Sequence, residues 1–92
     1  MIRSFRHRGL KRFYERGDRS GIRSDWLDKV EVILGHLDTA ASAEEMNYPG
    51  YHLHELKGRL AGFWSVRVSR NWRITFRFED SDAYDVNLID YH

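Results

Sequence analysis

The sequence predicts an α+β fold: N-terminal helices packed on a twisted, mainly antiparallel β-sheet. Three observations lead there. Between Leu10 and Leu37 apolar residues recur at spacings of three and four, the period of a helix face. After "NYPG" they alternate one by one, the period of strands with one covered face. The helical patterns sit in the first half and the strand patterns in the second, so one layer can cover the other. A chain of 92 residues suits one domain, taken as 1–92.

The elements follow in order. "IRSF" reads as a short strand. "RHRGLKRFYERG" puts Leu10, Phe13 and Tyr14 on one helical face, and Gly17 can stop the helix. Ser24 can cap a second helix that carries Leu27, Val30, Leu34 and Leu37, with Trp26 and Ile33 beside them. "SAEE" reads as a capping box, Ser42 with Glu45, opening one short turn. "NYPG" is a turn. In "GFWSVRVS" Trp64, Val66 and Val68 share the covered face, opposite Ser65, Arg67 and Ser69. In "WRITFRF" Trp72, Ile74, Phe76 and Phe78 alternate with Arg73, Thr75 and Arg77. In "YDVNLIDY" Tyr84, Val86 and Leu88 alternate with Asp85, Asn87, Ile89 and Tyr91.

Composition removes several classes. There is no cysteine, so disulfides and thiolate metal sites are excluded and a cytoplasmic location is allowed. No stretch reaches the roughly 20 apolar residues of a membrane span, so no membrane partner is expected. The basic start "MIRSFRHRGLKRF" lacks the apolar run of a signal peptide. The net charge of +1 conceals a partition. Residues 1–23 hold eight Lys/Arg against Glu15 and Asp18, and residues 50–78 hold six against Glu55. The segments after each are acidic. Two basic blocks of this size suit a polyanionic partner, with solvated faces as the plainer explanation.

The hairpin register can be derived. A two-residue turn "RN" would set polar Ser69 opposite Trp72. A three-residue turn "SRN" pairs Val68 with Trp72, Val66 with Ile74 and Trp64 with Phe76, with Asn71 left-handed. It also sets Arg67 directly opposite Arg73 on the open face. Like charges so placed destabilise a sheet, which makes sense if an anion sits near them; the alternative is neutralisation by Asp85 or another acid.

In "YHLHELKG" an extended chain with Leu53 inward points His52 and His54 to that open face, and Lys57 follows at the strand end. Tyr91 shares the parity of Asp85 and Asn87, while Asp90 and His92 lie at the end of the last strand. Three readings fit. His52, His54, His92 and Asp90 could bind a metal, although the cations around them would repel it. The histidines and Tyr91 could be ordinary surface residues. Or the face performs acid–base chemistry on a phosphodiester. Metal-free RNA cleavage needs a base for the 2′-hydroxyl, cations for the charge growing on phosphorus and an acid for the leaving 5′-oxygen. Histidine titrates in the useful range, Lys and Arg supply charge, and an aromatic can stack on an unpaired base.

"MIRSFRHRGLKRFYERG", "LHELKG", "NWRITF" and the terminal "DYH" together resemble the HigB-type toxins of the RelE/ParE superfamily, from Met1 to His92 and with similar spacing. "NWRI" marks the superfamily loosely; "LHxLKG" and "DYH" are more specific to the HigB branch. The resemblance implies a small RelE-like fold and a type II toxin–antitoxin system. It implies an endoribonuclease that cuts mRNA in the A site of the 70S ribosome with no cofactor. It implies a HigA-like helix-turn-helix antitoxin as partner, with operator DNA bound only through that complex. Carried over residue by residue, the catalytic positions are His54, Lys57, Arg73, Asp90, Tyr91 and His92, with Lys57 and Arg73 also holding substrate. Substrate-binding Arg67 rests on the register alone, and His52 is outside the motif. On this reading the sequence stops on its catalytic group. Two rivals differ in class: a ParE-like inhibitor that binds DNA gyrase, and a non-catalytic RNA- or ribosome-binding protein. Neither needs an acid–base set, so His54 with "DYH" favours the nuclease.

Overall fold

A computed structural model describes residues 1–91. Helix α1 (Arg8–Arg16) ends as the sequence predicts, on Gly17 with a left-handed φ of 69° and its N–H turned back to the Phe13 carbonyl. Its start was not foreseen. His7 is the cap: its Nδ1 accepts the Leu10 N–H at 3.0 Å, which requires a neutral ring. Burial, helped by the Arg12 charge, pushes the His7 pKa below 6.5.

Helix α2 (Leu27–Thr39) buries Val30, Ile33, Leu34 and Leu37. Ser24 does not cap it with its side chain; a 3-10 turn, Ser24–Trp26, runs directly into the helix and takes that place. The "SAEE" turn forms as Ala43–Met46, but without the capping box. Glu45 Oε1 accepts the Ala41 N–H at 3.0 Å, while the Ser42 side chain makes no capping bond.

The sheet has four antiparallel strands in the order β1 (His54–Glu55), β2 (Trp64–Arg67), β3 (Trp72–Glu79), β4 (Asp82–Asp90). "IRSF" contributes no full strand. Ile2 and Phe5 instead make isolated parallel bridges to Ala83 and Val86 at the β4 edge. The hydrophobic core lies between the helices and the covered face. Val66, Ile74, Phe76 and Val86 of the sheet meet Leu10, Val30, Ile33 and Leu37, all fully buried. At about 1.5–3 kcal/mol per fully buried apolar side chain, this layer holds the sheet's other face in place. The expected α+β architecture is therefore observed.

The predicted register holds at each pair: Trp64 with Phe76, Val66 with Ile74 and Arg67 with Arg73. The turn differs in detail. Asn71 is not among the residues with positive φ. The Val68 and Ser69 N–H groups both donate to the Trp72 carbonyl, at 2.9 and 3.2 Å, and close the turn without a left-handed residue. The Asn71 carbonyl accepts the Tyr91 N–H at 2.7 Å and so ties the chain after β4 to this turn.

One strand assignment is corrected. Asp85, at φ 55°, forms a bulge that shifts the β3–β4 register between Thr75 and Arg77, so Arg77 pairs with Tyr84. Tyr84 therefore shares the open face with Arg77, whose guanidinium lies 4.9 Å from its ring centroid, instead of alternating inward with Val86.

The His7 cap gives stability a pH dependence of known sign. Below its unfolded pKa, near 6.5, the unfolded chain binds a proton that folded His7 resists. Stability is therefore lost as pH falls through about 6.5 and retained above it. Asn caps without titrating. In urea unfolding, His7→Asn should gain on wild type progressively from about pH 7.5 to about pH 5; a constant difference across that range would exclude the mechanism.

Candidate active site

β2 and β3 bring the cations together. Their register makes Arg67 and Arg73 direct cross-strand partners. Asp85 does not neutralise them. It is 2.9 Å from Arg77 Nε and 3.9 Å from Arg6 Nε, at the opposite end of the open face, where Glu79 also holds Arg77 at 2.8 Å. Among the described residues Arg67, Arg70 and Arg73 make no ion pair. Burial first, then the Arg67 charge, pushes the Arg73 pKa below its ordinary value, against a smaller opposite influence from Tyr91.

The middle of this face is not open, as alternation alone suggested. Ser65 is fully buried and Thr75 nearly so, and they are cross-strand partners, with Asn87 next in the row. Arg73 Nη1 donates to Ser65 Oγ at 2.9 Å and to the His52 carbonyl at 3.2 Å.

The segment before β1 supplies the imidazoles. Only His54 and Glu55 of "YHLHELKG" are strand; His52 breaks the expected extension with a left-handed φ of 49°. Leu53 still packs inward against the core, and both histidines are exposed. Tyr51 anchors the segment. Its hydroxyl lies 2.9 Å from His36 Nδ1 on α2, where the His36 ring stacks on Tyr48 at 3.9 Å, and its carbonyl accepts the Arg67 N–H at 2.7 Å.

A cavity of about 490 Å³ results, lined by His52, Leu53, His54, Arg70, Arg73 and Tyr91. Three motif residues, His54, Arg73 and Tyr91, thus converge. Arg67 stands beside them, opposite Arg73. Lys57 precedes the 3-10 turn Gly58–Leu60, exposed and outside the lining. Asp90 ends β4 opposite Trp72, also outside it. His92 lies outside the described residues. Arg70 was missed by sequence reasoning; its place in the three-residue turn, beside the Arg67–Arg73 pair, is the signal that could have found it.

Another concavity, about 230 Å³ between α1 and α2, offers different chemistry. It is lined by Phe13 and Leu34 with the carboxylates Glu31 and Asp38, and no Lys, Arg or His reaches it. Asp38 there accepts the Tyr14 hydroxyl at 2.6 Å, which pushes the Tyr14 pKa up to about 12. An acidic, apolar groove does not suit a phosphodiester; the basic cavity on the sheet does.

Two helices packed on a four-stranded antiparallel sheet agree with a RelE-like fold. The family model for the RelE-like toxin of type II toxin–antitoxin system HigB matches residues 3–92, and the chain belongs to that family. It is 47% identical over 92 residues, the full length of both chains, to the Endoribonuclease HigB of Proteus vulgaris. It is 30% identical to Toxin HigB-1 of Vibrio cholerae serotype O1, covering 96% of this chain and 95% of that one. The resemblance read from "LHELKG" and "DYH" is thereby borne out. A toxin of this class has an antitoxin as its partner. No helix among the described residues is long and apolar enough to cross a membrane.

The like-charge pair costs stability. Arg67→Gln should stabilise the fold by about 0.2–1 kcal/mol, the size of a cross-strand pair term, and the gain should shrink as salt screens the repulsion. Urea titrations at low and high salt check this; a loss of stability on removing the charge would mean that the pair is already compensated.

Proposed function

We propose that this toxin is a ribosome-dependent endoribonuclease that cleaves mRNA in the A site by metal-independent acid–base catalysis and so stops translation. The observation that carries the reading is the convergence of His54, Arg73 and Tyr91 on one cavity beside Arg67, which makes no ion pair among the described residues. The name of the Proteus vulgaris relative supports the activity. Arg73 meets the charge that grows on the phosphorus oxygens, and Lys57 and Arg67 add to the field that holds the strand. His54 is a proton carrier at the cavity wall, and Tyr91 stacks on or hydrogen-bonds the nucleotide being cut. His92 is the acid for the leaving 5′-oxygen, and Asp90 orients a neighbouring imidazole, as a carboxylate does beside a catalytic histidine. On this reading the protein acts in the cytoplasm. Its antitoxin is a HigA-like helix-turn-helix protein, and operator DNA is bound only through the complex.

The deciding experiment incubates the protein with translating ribosomes and maps the 5′ ends of cut mRNA. Cuts at the A-site codon are expected. Intact mRNA with inhibited gyrase would establish the ParE-like rival, and intact mRNA with ribosome binding alone the non-catalytic one. In the same assay Arg73→Ala and Lys57→Ala should each lose roughly 10²–10³-fold in rate, and Arg67→Ala less. Wild-type cleavage by Arg73→Ala would remove it from the site.

The end of the sequence gives a separate test. Deleting His92 alone should abolish cleavage and growth inhibition and barely change the melting temperature, because little apolar area is lost. Full cleavage by the deletion variant would refute its role; loss of cleavage together with unfolding would make the "DYH" segment structural.

A further inference from the structure

We infer that Ser65 is a positioning residue that fixes which edge of the Arg73 guanidinium faces the substrate. Ser65 belongs to no motif, and a serine on the nominally open face of a strand would ordinarily be solvated. Here it is fully buried, and its hydroxyl accepts from Arg73 Nη1 at 2.9 Å. The same nitrogen donates to the His52 carbonyl at 3.2 Å, which the left-handed turn at His52, φ 49°, accompanies. Both bonds of the guanidinium to described residues therefore fall on one nitrogen. Among the described residues Nε and Nη2 make none.

The chemistry follows from the planar fork. A guanidinium grips a phosphate best with two parallel N–H groups, along the Nε–Nη2 edge or between the two terminal nitrogens. With Nη1 held by the sheet and by the loop before β1, the Nε–Nη2 edge is left for the phosphate. Arg73 lines the cavity with His54 and Tyr91, so this edge serves the same space. A long side chain held at one end only would sample many rotamers. The Ser65 hydroxyl removes that freedom before substrate arrives, in the ground state of the free protein. Its neighbour Thr75 is a natural comparison. It is equally deep, in the same cross-strand row, and makes no bond to Arg73.

This inference rests on Arg73 acting in cleavage, and the test separates the two. The proteins are wild type, Ser65→Ala, Thr75→Val and Arg73→Ala, assayed for A-site cleavage on ribosomes, with the Arg73 side-chain Nε–H signal followed by NMR in the free toxin. Ser65→Ala should lower kcat about tenfold with KM for the ribosome unchanged, and its Arg73 signal should move toward that of a freely rotating arginine. Thr75→Val should alter neither readout. Full cleavage by Arg73→Ala overturns the functional reading itself. Lost cleavage by Arg73→Ala with wild-type kcat in Ser65→Ala overturns only the role of Ser65. So does a Ser65→Ala protein whose melting temperature falls well below that of Thr75→Val, since the hydroxyl would then serve the fold and not the arginine.

Discussion

Two arginines facing each other across β2 and β3 are the constraint from which the functional face follows. Arg67 and Arg73 meet because a three-residue turn sets the hairpin register, and that register is fixed by what it buries: Val66 against Ile74 and Trp64 against Phe76. A slip of one residue would turn these side chains to solvent and the arginines into the core. The apolar face therefore enforces a contact on the other face that is unfavourable by itself. The sheet can carry a cross-strand repulsion of about 1 kcal/mol or less because core burial on the same strands is several times larger.

The same face shows what a compensated arginine looks like. Arg77 is held by Asp85 and Glu79 and lies over the Tyr84 ring. Arg73, four residues earlier on the same strand, is held among the described residues by a hydroxyl and a carbonyl, neutral acceptors that orient a guanidinium. The Asp85 bulge makes this division possible. It brings Tyr84 to the open face, and the Asp85 carboxylate reaches Arg77 and Arg6 there, away from the turn where Arg67, Arg70 and Arg73 gather.

Much of this was legible in the sequence. Alternation and turn length gave the strands and each cross-strand pair of β2 and β3, because period two and apolar matching leave one register. Gly17 was legible as a stop because few other residues take its φ. The features that escaped are those decided by tertiary contact. His7 as a cap depends on a neutral, partly buried ring. The Asp85 bulge and the left-handed His52 leave no trace in polar alternation. Ser42 with Glu45 had the spacing of a capping box, yet only the glutamate bonds, and to Ala41. Of the residues that line the candidate cavity, the family resemblance had named His54, Arg73 and Tyr91; Arg70 was marked only by its place in the turn, and Ser65 needed coordinates, since a serine does not announce its burial.

Among the described residues Arg77 is paired with Asp85 and Glu79 while Arg67, Arg70 and Arg73 make no ion pair, and this division also gives the open face an electric direction. Glu79, Asp82 and Asp85 occupy one end of the β3–β4 hairpin, and Arg67, Arg70 and Arg73 gather at the other. In the field of a polyanion such a distribution exerts a torque as well as an attraction. Under the proposed function, that torque would turn the cavity toward a nucleic acid backbone before the two surfaces touch, so that a larger share of collisions arrived in the useful orientation. At about 8 Å of screening length under physiological salt, such steering would act only over the last layers of water, where an approaching surface leaves the least time to search.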